Sequence, residues 1–216
     1  MIISHGRQFI FVHIPKTGGT SLALALEQKA MKDDILIGDT PKAQQRRRRL
    51  KDVKTSGRLW KHSKLADVYG LVDQDQLERY FVFTLVRNPW DRMVSYYHWL
   101  RGQDFDHPAV TLAKGVGFST FLNDRTTRAS LSIDGAARYV SDRDGVERCN
   151  LFLRLENLAE DIARLEAGVG VRLPQPPHEN RSDRGPYQQY YSAADQALVA
   201  DIFAADIARF AYQFEG

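Results

Sequence analysis

Only one cysteine, Cys149, occurs in 216 residues. That excludes an intramolecular disulfide or a cluster of several thiolates on a metal, and it suits a reducing compartment. Glycine and proline are scarce, at 15 and 8, so collagen-like and low-complexity classes fall away. No apolar run approaches the roughly 20 residues that a membrane-spanning helix needs. The amino-terminal stretch MIISHGRQFIFVHIPK is broken by polar residues and reads as neither signal peptide nor anchor. These absences lead us to expect a cytoplasmic protein with no membrane span. Charge of one sign is also lacking: 30 Lys and Arg against 27 Asp and Glu leave +3, too little to imply a nucleic-acid partner. What is present is 43% hydrophobic and 26% charged residues, enough to bury one sizeable core. The expectation is one α/β domain over residues 1–216.

Residues 9–14 form a nearly unbroken apolar, β-rich run that ends at Pro15, as a parallel strand covered on both faces does. Small residues and a Gly pair follow, and SLALALEQ then supplies strong helix formers. A second strand, turn and helix is expected at FVFTLV, RNP and WDRMVSYYHWL, where Met93, Val94, Tyr97 and Leu100 share a helical face. A third strand is expected over residues 151–155, with a helix from Asn157 that stops near Gly168 and Gly170. Four of the eight prolines fall in LPQPPHENRSDRGPYQQYY, an irregular segment suited to a surface loop. One last helix begins after Ser192, a capping residue, with Asp195 in its first turn and Leu198, Val199, Ile202, Phe203 and Ile207 on its apolar face. No internal repeat is visible.

The turn KTGGTS between a strand and a helix directs several backbone N–H groups at one small volume, which favours phosphate or sulfate. Gly18 and Gly19 let the backbone approach an anion, Thr17, Thr20 and Ser21 offer hydroxyls, and Lys16 adds a positive charge. A Walker A loop is a different pattern, because its Lys follows the last Gly whereas Lys16 precedes both. Taken alone, the segment is also compatible with a plain tight turn. Arg87 stands at the carboxyl end of the second strand, the edge where open α/β sheets bind ligands. With Ser95 two helical turns on, it can clamp a second phosphate. The rival is a simple pair between Arg87 and Asp91.

Residues 42–64 hold ten lysines and arginines against one acid, Asp52, leaving the remainder of the chain acidic. Such a run is ordinarily a solvated face. Here it adjoins His62, so it suits either a polyanionic glycan acceptor or the steering of an anionic donor. Of the other histidines, His13 reads as packing, His98 as the exposed side of its helix, and His5 and His107 as surface. His178, in the Pro-rich loop, rivals His62. Trp60, Trp90 and Trp99 read as core more readily than as a sugar-stacking surface. Arg181 and Arg184 are candidates for contact with an anion, and Glu156 reads as structural.

FVHIPKTGGTSL and VRNPWDRMVSYYHWL, with Lys16 and Arg87 71 positions apart, resemble the sulfotransferases that use 3′-phosphoadenosine 5′-phosphosulfate. The likeness is closest to the carbohydrate 2-O-sulfotransferases and their bacterial relatives. WKHSK, RLENLAEDI, PHENRSDRGPYQQYY and DIARFAYQF extend it over most of the chain. The resemblance implies a P-loop-like, three-layer α/β fold with a central, mainly parallel sheet flanked by helices. It implies that Lys16, Thr17, Gly18, Gly19, Thr20 and Ser21 hold the 5′-phosphosulfate and that Arg87 and Ser95 hold the 3′-phosphate, with adenosine 3′,5′-bisphosphate as product. His62 of WKHSK matches the catalytic base of some relatives, while others use a carboxylate.

The expected reaction is an in-line transfer to a hydroxyl of a carbohydrate or related metabolite, with His62 as base and Lys16 stabilising the leaving phosphate. No metal is expected, since no HExxH or Cys/His ligand spacing occurs. Two other readings compete: an ATP-dependent phosphotransferase, and a non-catalytic module that binds polyanions through Arg46, Arg47, Arg48 and Arg49. The sequence leaves the acceptor and the oligomeric state open.

Overall fold

The computed structural model describes residues 1–175 and 184–215. Its elements run in chain order as β1 (Ile2–Ser4), β2 (Phe9–Val12), α1 (Gly19–Gln28), β3 (Ile35–Leu36), α2 (Pro41–Arg46), α3 (Gln74–Arg79), β4 (Phe81–Val86) and α4 (Pro89–Arg101). Then follow α5 (Pro108–Gly115), α6 (Phe118–Asn123), α7 (Arg125–Leu131), α8 (Ala136–Val140), β5 (Leu151–Arg154), α9 (Leu158–Val169), α10 (Ala193–Ile202) and α11 (Ala204–Phe210). They divide between two units. One comprises Met1–Val86 with the described part of Ala136–Glu179, and the other Arg87–Gly135 with the described part of Asn180–Gly216.

In the first unit the strands form one sheet in the order β3-β1-β2-β4-β5. β2 pairs in parallel with β4, and β4 with β5. β1 runs against both β2 and β3, so four of the five strands point one way. The alternation of side chains explains why these strands read as continuous apolar runs. Phe9, Phe11, Phe83, Leu85, Leu151 and Leu153 project to one face, where Leu22 and Leu26 of α1 and Leu165 and Val169 of α9 cover them. Ile10, Val12, Val82 and Thr84 point to the other face and are fully buried. There α8 lies against β4 and against a 3-10 turn at Leu65–Asp67. The result is the expected α/β arrangement, a mainly parallel sheet flanked by helices.

The second unit is helical. Trp90, Met93, Val94, Tyr97 and Leu100 of α4 pack with Val110, Phe118, Phe121, Leu131, Tyr187, Val199 and Phe203. Asn88 caps α4 by accepting hydrogen bonds from the Trp90 and Asp91 amides, with Pro89 in the first turn. The buried Arg92 guanidinium donates to the Asp134 carbonyl and carboxylate.

Several boundaries differ from the sequence reading. The run 9–14 is strand only to Val12. β1 and β3, of three and two residues, carry too little pattern to announce themselves. The last helix is two: the backbone leaves helical angles at Phe203 (φ −108°, ψ 25°), where the ring enters the core. Part of the Pro-rich segment is a 3-10 turn, Tyr187–Tyr190.

Phe83 is fully buried on the central β4, with ring contacts to Phe9, Phe11 and Phe81. Phe83→Ala therefore lowers stability by about 3–5 kcal/mol, read as the shift of a urea unfolding midpoint.

Candidate active site

β2 and β4 are parallel neighbours with Val12 opposite Thr84, and the Thr84 hydroxyl donates to the Val12 carbonyl at 2.7 Å. Their carboxyl ends therefore open on the same edge of the sheet. The chain leaves β2 through His13, Ile14 and Pro15 and turns sharply, with Lys16 at φ 64° and Gly18 at φ 84°. Both angles lie in the left-handed region, which costs a lysine where it costs a glycine little. The Thr17 hydroxyl is buried and donates to the Ile14 carbonyl at 2.9 Å, so that side chain braces the loop. Gly18 is the N-cap of α1 and brings no side-chain cap. α6, α9 and α11 also lack one, so the missing cap alone marks nothing. What sets α1 apart is the conjunction of that start with positive φ at Lys16 and Gly18.

Positive φ favours glycine at 18, and close packing favours it at 19. A Cβ at Gly18 would stand 2.6 Å from Leu155 Cδ1, and one at Gly19 would overlap the His13 ring. His13 is thus the surface on which the start of α1 rests. Its carbonyl accepts a hydrogen bond from His62 Nδ1 at 2.8 Å, and the two rings meet edge to face with centroids 4.6 Å apart. Because a carbonyl only accepts, Nδ1 of His62 carries the proton and Nε2 presents the lone pair. The structure therefore joins His62 to the glycine loop through His13, a residue the sequence reading treated as packing.

Burial pushes the His62 pKa down to about 4, and Lys61 adds to the fall. Burial also holds His13 well below its ordinary value. Both rings are neutral near pH 7. The turn that carries His62 is rigid: the fully buried Ser63 hydroxyl donates to the Trp60 and Arg58 carbonyls and accepts from the Trp60 amide. Trp60 lies edge-on to His62, with centroids 5.0 Å apart, and is 46% exposed. It is not core, contrary to the sequence expectation, whereas Trp90 is buried.

The basic segment splits in two. Lys42 donates to the Glu27 carbonyl, Arg46 to those of Met31 and Asp34, Arg49 to that of Lys32, and Lys61 pairs with Asp39 at 2.6 Å. Arg47, Arg48, Lys51, Lys54 and Arg58 are exposed.

In the second unit, Arg87 forms the pair that the sequence reading held as its rival. Its guanidinium meets Asp91 through Nε at 2.8 Å and Nη2 at 2.6 Å. Arg184 bonds the other oxygen of the same carboxylate. One carboxylate thus gathers two arginines. Ser95 is buried one turn further along α4. His98 is not an exposed residue: its Nε2 is buried and has no hydrogen-bond partner among the described residues. His107 caps α5 by accepting from the Ala109 amide, and His5 bonds the Tyr80 hydroxyl at 2.8 Å. His178 and Arg181 lie outside the described residues. Among the described residues, no group of three or more His, Cys, Asp and Glu is placed to hold a metal ion, and no helix is long and apolar enough to cross a membrane.

Two outcomes follow from the His13 contacts. Gly19→Ala lowers stability by about 1–3 kcal/mol through overpacking, read by denaturant unfolding. Between about pH 6.5 and about 4 the unfolded chain binds a proton that folded His62 refuses. Stability therefore falls on acidification through that window, with His62 contributing on the order of 2–3 kcal/mol. His62→Gln flattens the dependence of melting temperature on pH over the same interval.

Comparison with known proteins follows the same lines as the geometry. No curated protein matches this chain. Among solved structures, the mouse sulfotransferase SULT7A1 complexed with PAP is similar at 15% identity and a TM-score of 0.47, covering 95% of this chain and 85% of its own. The model of the sulfotransferase family matches residues 1–213. With nearly its whole length matched by that model, the chain belongs to the sulfotransferase family.

Proposed function

We propose that this protein transfers a sulfuryl group from 3′-phosphoadenosine 5′-phosphosulfate to a hydroxyl of a carbohydrate or related metabolite. One observation carries the reading: an imidazole with its Nε2 lone pair available is tied, through His13, to a glycine loop at the start of a helix. An acid–base group and an anion-binding turn are the two parts that sulfuryl transfer requires at one place. The binding parts also fit the donor. Backbone N–H groups at the start of α1 and the Lys16 ammonium suit the phosphosulfate, with Thr20 and Ser21 beside them. Arg87 and Ser95 suit the 3′-phosphate, and the shared Asp91 adds Arg184 to that set. The exposed cations of residues 47–58 support an anionic glycan as acceptor.

The bound donor supplies a sulfuryl group whose bond to a phosphate oxygen breaks as the acceptor oxygen bonds to sulfur. His62 Nε2 takes the acceptor proton, while its Nδ1–H stays on the His13 carbonyl and fixes the ring. Lys16 neutralises the charge that collects on the departing phosphate oxygen, and the loop amides share it. Lys61, paired with Asp39, is turned to another partner.

Transfer of labelled sulfate from the donor to a glycan acceptor tests the reading, and transfer of labelled phosphate from ATP instead would overturn it. Lys16→Ala lowers kcat about 100-fold or more, as loss of a charge-stabilising group does. Arg87→Ala raises the donor Kd with little change in the chemical step. His62→Ala slows that step by about 100- to 10,000-fold and spares donor affinity. The profile of kcat/KM for the donor reports the free enzyme. Its acid limb therefore lies near the His62 value of about 4 rather than at 6.5, and the limb is absent in His62→Ala.

A further inference from the structure

We propose that His98 is a further ligand of the phosphate held by Arg87 and Ser95, donating from Nε2 to one of its oxygens and taking up a proton as that anion binds. This rests on the reading of Arg87 and Ser95 given above.

The starting observation is an unsatisfied buried atom on α4. His98 Nε2 is buried, yet among the described residues it meets no hydrogen-bond partner. A buried polar atom left so costs about 1–3 kcal/mol, and native structures rarely leave one without a use. Its location supplies the use. Asp91, Ser95 and His98 follow one another on α4 at spacings of four and three, which puts them on a single face of the helix. That face carries the carboxylate that gathers Arg87 and Arg184. It also carries the buried Ser95 hydroxyl. His98 thus continues a helix face that already carries the Asp91 carboxylate and the Ser95 hydroxyl.

The surroundings decide its protonation. Rings of Tyr97, on the same helix, and of Tyr190, on the 3-10 turn, pack edge-on against the imidazole, with centroids 5.4 and 5.1 Å away. Arg184 and Arg101 are the charged groups that act on it. Burial first, then those two cations, hold its pKa below the ordinary value of 6.5, so the ring is neutral at pH 7 when no anion is bound. A phosphate dianion among the arginines reverses the sign of the local field and favours the imidazolium. Proton uptake on binding follows, and with it a charge-assisted hydrogen bond.

The test is calorimetry with adenosine 3′,5′-bisphosphate in two buffers of different ionisation enthalpy, at about pH 6 and about pH 8, across the range where an imidazole titrates. Wild type, His98→Phe and His98→Gln are compared, and the titration of the nucleotide's own phosphates is common to all three. His98→Phe keeps the ring volume without the nitrogen. Its affinity falls about tenfold at the lower pH, the loss of one hydrogen bond to a charged group, and its proton uptake shrinks. Because the orphaned atom is gone, its melting temperature stays at or above wild type, which a merely structural histidine would not give. His98→Gln retains a neutral donor, so its affinity stays near wild type at the higher pH and loses the gain on acidification. Affinity and proton uptake unchanged in His98→Phe overturn the proposal. Should that variant melt well below wild type, the Gln variant decides, and an unaltered pH gradient there overturns it equally. Wild type that binds no adenosine 3′,5′-bisphosphate refutes instead the donor-site reading on which the proposal stands.

Discussion

At Gly19 the backbone of α1 comes to rest on the His13 ring, leaving no room for a Cβ. The rest of the candidate site follows from that contact. His13 stands at the end of β2, a strand held on one side by β1 and on the other by β4. Its position is thereby set by the sheet. The ring transmits that position to the helix start, and the carbonyl transmits it to His62. A larger residue at 19 would lift α1 from β2 and separate the glycine turn from the imidazole. The strain at Lys16 is the local cost of bringing the chain round so tightly, and the packing of Leu22 and Leu26 into the core offsets it.

A second constraint is electrostatic. Two guanidinium groups brought together repel each other unless an anion lies between them. Asp91 supplies that anion in the first turn of α4, where the helix dipole favours negative charge. Arg87 and Arg184 are therefore both oriented by one carboxylate, and in the proposed binding of the 3′-phosphate less conformational entropy is lost. The carboxylate also competes for both arginines. In that proposal a phosphate dianion, with more charge and three oxygens to offer, overcomes the competition.

How much of this was legible in the sequence depended on range. The turn KTGGTS, the strand before it and the RNP corner are written in contiguous residues, and local rules of propensity and capping suffice to read them. The i, i+4 spacing of Arg87 and Asp91 was likewise readable, though not which role prevailed. β1 and β3 were hidden because strands of two or three residues exist only through their neighbours in the sheet. Arg184 reaches Asp91 across 93 positions, a distance no local pattern encodes. Trp60 is held by its amide and carbonyl, which both bond the Ser63 hydroxyl, so its exposure, which apolarity alone argues against, could not be foreseen. His98 lay within reach, because its spacing from Asp91 and Ser95 is helical. Only burial revealed that its nitrogen has no hydrogen-bond partner among the described residues.

The low pKa of His62 bears directly on how a base can work here. Burial and the nearby Lys61 make the imidazolium unfavourable, so His62 at about 4 is a weak proton acceptor. In the proposed reaction negative charge enters beside the ring with the donor and shifts onto the phosphate oxygen as transfer proceeds. An adjacent anion raises the pKa of an imidazole, most strongly where water is excluded and the field is poorly screened. Proton affinity thus rises when the donor is present and the acceptor hydroxyl must lose its proton. The same physics applies to His98, another imidazole kept neutral by burial and cations. In the proposed reaction the two rings differ in what they do with the proton, one removing it from an acceptor and the other holding it against a phosphate.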